Sequence, residues 1–298
     1  MQDRQLIHQY DELLYPDIIF NRPISNLARL QIAVFGGRHH QLAEISQLYQ
    51  ALGAMGVSAQ LYLEEKVIVP DMVPLGTFHL TTDLKKGKVS QTAEVLDRVG
   101  ESNLAIFAPN VLLGSAMHIL AERLLTETDV PIILTDEAVM LMSPQFAQTL
   151  RHRGNVIFFL SNRGMIQLAN QLGLAVQIRS GRGVYNTLDI QESIFEATGA
   201  SIISYAHDVA VVLDDSKNST EAGIIHFSRP GLLDAQRGVF LAILAGLVVD
   251  LGSEITNFMQ KALTGGYLFQ KIADTTDAHV SNVFTADRIS SILRKELS

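Results

Sequence analysis

Arg229-Pro-Gly-Leu-Leu-Asp-Ala-Gln-Arg-Gly238, running without a break into Val239-Phe-Leu-Ala-Ile-Leu-Ala-Gly-Leu-Val-Val249, decides how this chain is read. A polar, glycine-bearing turn feeds a segment that is apolar around its whole circumference, and a helix of that kind lies buried. Its first turn aims unpaired backbone N–H groups and a partial positive charge at whatever sits above it. Such a terminus binds anions. The stretch therefore predicts a core helix and, at its amino end, a candidate ligand position.

Outward from that helix, short β-branched runs alternate with helical patterns. Strands are expected at Leu30–Phe35, Ser58–Leu63, Leu104–Ala108, Pro131–Leu134, Val156–Leu160 and Ser201–Ser204, with a short one at Thr77–Leu80. Val209–Leu213 and Ile224–Phe227 read as a hairpin around Asp214–Thr220. Helical spacing marks Gln41–Met55, Ala93–Val99, Ser115–Leu125 with Ser115 as cap, a helix after Asp136 through Leu141, Met165–Leu172 and Glu192–Ala197. It returns at Glu254–Ile272 and Ala286–Leu297. This alternation predicts a mainly parallel sheet with helices on both faces. With no linker-like stretch and no repeat, one domain over 1–298 is expected.

Composition narrows the function classes. The apolar fraction is 47%, and the mean hydropathy of +0.20 fits a sizeable core. A net charge of −8 argues against nucleic acid, whose phosphates need clustered Lys and Arg. The absence of cysteine removes disulfides, thiolate zinc sites and thiol nucleophiles. The first 20 residues carry Asp3, Asp11, Glu12 and Asp17 and do not read as a signal peptide. Gly238–Val249, the longest strongly apolar run, is too short to span a bilayer. A cytoplasmic protein with no membrane partner is expected.

Ligands of parallel sheets sit beyond the carboxyl ends of the strands. That points to Gly36–His40, Pro109–Gly114, Thr135–Ala138, Ser161–Gly164 and the turn before Val239. In this order the loops resemble those of the NAD(P)H-hydrate dehydratase family of the ribokinase-like superfamily, over roughly Pro23 to Ala273. Gln31-Ile-Ala-Val-Phe-Gly-Gly37 looks like the family's first strand and glycine pair. Gly114 matches the last glycine of a Gly-Pro-Gly-Leu-Gly loop. Ile132-Ile-Leu-Thr-Asp136-Glu-Ala138 resembles its Asp-Ala-Asp-Ala strand end, and Phe159-Leu-Ser-Asn162-Arg-Gly164 its Thr-Pro-Asn/His loop.

The resemblance implies a three-layer α/β/α ribokinase-like fold and ADP- or ATP-driven removal of water from hydrated NADH or NADPH. It further implies Mg2+ with the nucleotide and a homo-oligomer. Its nucleotide and substrate positions are Gly36, Gly37, Gly114, Asp136, Asn162 and Gly231, and its catalytic position is Asp234; no metal-ligating residue is assigned. The departures bear on chemistry. Met165 stands where the family has a glutamate, Ser204-Tyr205 where it has Lys-Gly, and the Gly-Gly-Thr-Gly-Asp cradle is absent. One register puts Gly238 at the aspartate position; the other uses Asp234 with Gly238 at the cost of about one extra helical turn. Leu232-Leu233 would crowd a phosphate in either.

Each candidate also has a plainer reading. Asp234 is favoured as a helix N-cap over a general base. Asp136 caps the following turn or bonds a ribose, with nothing to choose between them. Gly36-Gly37 either turns the chain or admits a ligand. His39-His40 is discounted as a metal site, since adjacent side chains rarely converge on one ion. Arg179–Gly183 reads as a solvated loop. Three functions stay open: a divergent nucleotide-dependent lyase, a non-catalytic binding or assembly module, and a kinase-like protein for another anionic metabolite. The lost signatures lean towards reduced or absent activity.

Overall fold

A computed structural model describes residues 4–18, 30–36, 42–64, 77–80, 82–83, 88–89, 91–108, 114–141, 144–176, 183–214, 221–249, 258–274 and 285–296. The strands are β1 (Gln5–Gln9), β2 (Gln31–Phe35), β3 (Ser58–Glu64), β4 (Thr77–Leu80), β5 (Thr82–Asp83), β6 (Lys88–Val89), β7 (Leu104–Phe107), β8 (Ile132–Thr135), β9 (Val156–Ser161), β10 (Ser201–Ala206), β11 (Val209–Leu213) and β12 (Glu221–His226). Ten of them form one sheet in the order β1-β12-β11-β10-β9-β8-β7-β2-β3-β4, and β5 pairs with β6 apart from it. Only β11 runs against the rest, antiparallel to both β10 and β12. Central strands covered on both faces read as continuous apolar runs. Accordingly Val156-Ile-Phe-Phe-Leu160 of β9 is buried throughout.

The helices are α1 (Ala43–Met55), α2 (Thr92–Gly100), α3 (Ser115–Glu127), α4 (Pro144–Arg153), α5 (Asn162–Gln171), α6 (Gly183–Thr198), α7 (Leu232–Ala235), α8 (Arg237–Val249), α9 (Phe258–Asp274) and α10 (Ala286–Glu296). One face of the sheet carries the core shared by α1, α8, α9 and α10. The other carries a second core beneath α2 to α6. These are the expected three layers. Every residue of α8 from Gly238 to Val249 is buried, as its all-round apolarity requires.

Several sequence expectations change. The stretch Gln5-Leu-Ile-His-Gln9 is an edge strand parallel to β12, although it has only two strongly apolar residues. Helix α4 lies between β8 and β9 with Phe146 and Leu150 turned into the core. Helix α6 begins nine residues before the expected Glu192, at Gly183. After Asp136 the chain makes a 3-10 turn, Ala138–Leu141, rather than an α-helix. Ser115 is not the cap of α3; Gly114 holds the cap position, in extended backbone and without a capping side chain. No helix among the described residues is long and apolar enough to cross a membrane.

Candidate functional site

The carboxyl tips of β2, β7, β8, β9 and β10 lie side by side, and α1 and α8 start on the same rim. Asp136 follows β8 directly. Its Oδ1 accepts hydrogen bonds from the Ser161 backbone N–H (2.7 Å) and hydroxyl (2.9 Å). Its Oδ2 accepts from the Tyr205 hydroxyl (2.9 Å) at the end of β10. Ser161 in turn caps α5, its Oγ accepting from the Gly164 N–H at 3.1 Å. A Cβ on Gly164 would come 1.9 Å from Asp136 Oδ1, so this contact requires glycine.

Arg237, the first residue of α8, completes the constellation. Its Nε and Nη2 donate to the two carboxylate oxygens of Glu44, in the first turn of α1, the second at 2.8 Å. Its Nη1 donates to Asp136 Oδ2 at 3.2 Å and to the Tyr205 oxygen at 2.7 Å. A guanidinium has about five N–H donors, so four of these bonds nearly exhaust it. Burial works against the Arg237 charge, yet its hydrogen bonds to Glu44 and Tyr205 and the Glu44 charge hold its pKa above the ordinary value. Burial, joined by the charges of Glu137 and Asp136, raises Glu44 despite the Arg237 partner. Burial and the Asp136 charge also raise Tyr205.

The turn ahead of α8 departs from both registers expected for it. Gly231 (φ 76°) enters α7, a helical turn of four residues, and Leu233 is driven into the core. The Gly231 N–H donates to the His207 carbonyl at 3.0 Å, which gives this glycine a chain-turning task. Asp234 lies within α7 and does not cap α8, where the Gln236 carbonyl accepts from the Val239 and Phe240 N–H groups. The Asp234 carboxylate is half-exposed and stands 3.4 Å from His207 Nδ1. His207, in the β10–β11 turn, is the one non-glycine residue with positive φ (29°) among those described. Gly238, the other register's candidate, is buried against α1: a Cβ there would sit 2.3 Å from the Glu44 carbonyl oxygen.

Of the remaining candidates, Gly36 (φ 155°) packs between Ile45 and Ala108. Gly114 starts α3, and nothing lies within 4 Å of a Cβ built there. Asn162 is the exposed first residue of α5. Gly37, His39, His40 and Arg179–Arg182 lie outside the described residues, while Gly183 opens α6. The structure thus joins Asp136 to Ser161, Tyr205, Arg237 and Glu44, and sets Asp234 beside His207 instead. Asp136 is no cap of its own turn: its carboxylate reaches across the sheet.

The side chains described at the strand tips do not fit a nucleoside polyphosphate with Mg2+. The Arg237 guanidinium is engaged, and Glu44, Asp136 and Glu137 are close enough to act on one another electrostatically. Glu137 Oε2 is buried with no hydrogen-bond partner among the described residues. No three His, Asp or Glu side chains among those residues could hold a metal ion together.

No protein-family model matches the sequence, and no curated protein matches it. Solved structures do match in fold. A ribokinase-like superfamily protein from Enterococcus faecalis V583 is 14% identical with a TM-score of 0.69, over 98% of this chain and 96% of that one. A hypothetical protein from Streptococcus mutans is 13% identical with a TM-score of 0.65, over 97% and 100%. The ADP/ATP-dependent NAD(P)H-hydrate dehydratase from Bacillus subtilis, crystallised with ATP and Mg2+, is 14% identical with a TM-score of 0.57, over 97% of each chain. At such identities the likeness concerns the fold, which in this chain is ribokinase-like.

Proposed function

We propose that this chain is a ribokinase-like protein that no longer dehydrates NAD(P)H hydrates and works as a non-catalytic binding or assembly module. The observation that carries this reading is the engaged Arg237. At the helix terminus where the resemblance calls for a glycine cradle and an acid/base aspartate, α8 presents a cation consumed by Glu44, Asp136 and Tyr205. A general base must reach the reacting group from a poised position. Asp234 instead sits a short helix ahead of α8, half-exposed.

Turnover of hydrated NADPH with ADP or ATP and Mg2+ tests the proposal, together with melting temperatures in the same ligands. The expected result is no turnover above background. Nor should either nucleotide give the several-degree shift that about 100 times a dissociation constant produces. A nucleotide-dependent lyase or kinase-like enzyme is the second reading, favoured by the Asp234–His207 pair at the rim. Turnover in the wild type that disappears in Asp234→Asn would establish it in place of the first.

A further inference from the structure

We propose that His8 and His226 form a one-proton clasp that fastens the edge strand β1 to the sheet and opens in mild acid. This inference is independent of what the strand tips bind. His8 Nδ1 lies 2.9 Å from His226 Nε2. The ring centroids are 5.2 Å apart with planes inclined by 15°. That centroid distance equals the nitrogen separation plus one ring radius at each end. The nitrogens therefore face each other head-on, with the line between them passing through both ring centres. A single proton fits between them, one imidazole donating and the other, necessarily neutral, accepting. A shared metal ion fits less well: two bonds of about 2.1 Å meeting at an angle would require both rings to turn off that line.

The surroundings keep the pair short of charge. Tyr10 lies parallel over His226 at 4.4 Å and over His8 at 5.9 Å. The charges acting on His226 are His8 across the ladder and Asp208 in the turn before β11. From α6, the apolar Val184 and Leu188 pack on this side of β11 and β12. Burial, then the facing His8, lowers the His226 pKa, with Asp208 opposing. An unfolded chain therefore takes up this proton more readily than the folded one. The clasp is fully present above the unfolded value of about 6.5 and is lost as pH falls through the folded value. Once both rings are charged, two like charges meet with no acceptor between them.

Strand β1 is sensitive to this because β12 is its one neighbour among the described strands. Its other end is pinned by Arg4, on Glu192 at 2.5 Å and on the Glu221 carbonyl oxygen.

Amide hydrogen exchange, corrected for its intrinsic pH dependence, tests the clasp when paired with NMR titration of both imidazoles. Between about pH 7.5 and about pH 5, protection of the β1 amides relative to those of β9 should fall severalfold. His226→Phe retains a flat ring under Tyr10 but no proton, and there the ratio should stay flat. A wild-type ratio that does not change with pH, or an equal fall in His226→Phe, overturns the proposal. If that variant does not fold, the wild-type titration still decides. β1 amide shifts that follow the second imidazole step support the clasp; shifts that ignore it overturn it.

Discussion

Arg237 and Glu44 hold each other through parallel hydrogen bonds with side chains 21% and 15% exposed, so removing one strands the other. Arg237→Ala should cost about 2–4 kcal/mol in denaturant unfolding, because Glu44 and Asp136 lose their cation. The pair Arg237→Met with Glu44→Met should recover part of that, since it removes the stranded Glu44 charge and leaves Asp136 with its Ser161 and Tyr205 donors. Glu44 also sets a pH dependence. With its folded pKa raised above an unfolded value of about 4.3, the native state binds this proton more tightly. Stability from this group therefore falls as pH rises through that window, and Glu44→Gln should remove that part of the slope in pH-dependent unfolding. Asp136 was legible in the sequence because it ends an apolar strand at the ligand side of a parallel sheet. Its partners were not. Arg237 stands 193 residues from Glu44 and 101 from Asp136, and no periodicity links residues so far apart.

At the scale of elements, α8 is held to α1 by the absence of a side chain at Gly238. Gly238→Ala forces a methyl into the Glu44 carbonyl oxygen and must push the two helices apart. We expect a loss of about 2–4 kcal/mol in thermal or chemical unfolding, with Arg237 drawn off Glu44 as well. Leu233 explains why the turn was misread. Its burial winds Leu232–Ala235 into a helix of its own, which places Asp234 in α7 and not at the head of α8. A four-residue turn has no period to find. The strongly patterned elements were legible: α8 by its uniform apolarity, and β7, β8 and β9 by β-branched or aromatic runs. Helix α4 was missed because only Phe146 and Leu150 of its described side chains are turned into the core.

At the scale of the whole molecule, the sheet has a firm centre and exposed ends. Strands β7, β8 and β9 are flanked by strands on both sides and covered by helices on both faces, whereas β1 and β4 each have one neighbour among the described strands. Local opening is cheapest where fewest contacts are lost. Hydrogen exchange at neutral pH should therefore proceed at β1 and β4 well before β8 and β9; uniform protection across the ten strands would contradict this order. The fold class was readable because alternation of strand and helix is a global property that survives local misreadings. The reversal of β11 was readable as a hairpin. The joining of β1 to β12 was not, since contacts between distant segments leave no local trace. That joining has a consequence for synthesis. Gln5 lies opposite Glu221, roughly 200 residues further along. At about 5–20 residues per second, β1 leaves the ribosome on the order of ten to forty seconds before its mate. This strand can thus dock only once β12 is made, and in the interval its unsatisfied backbone is a natural foothold for a nascent-chain chaperone.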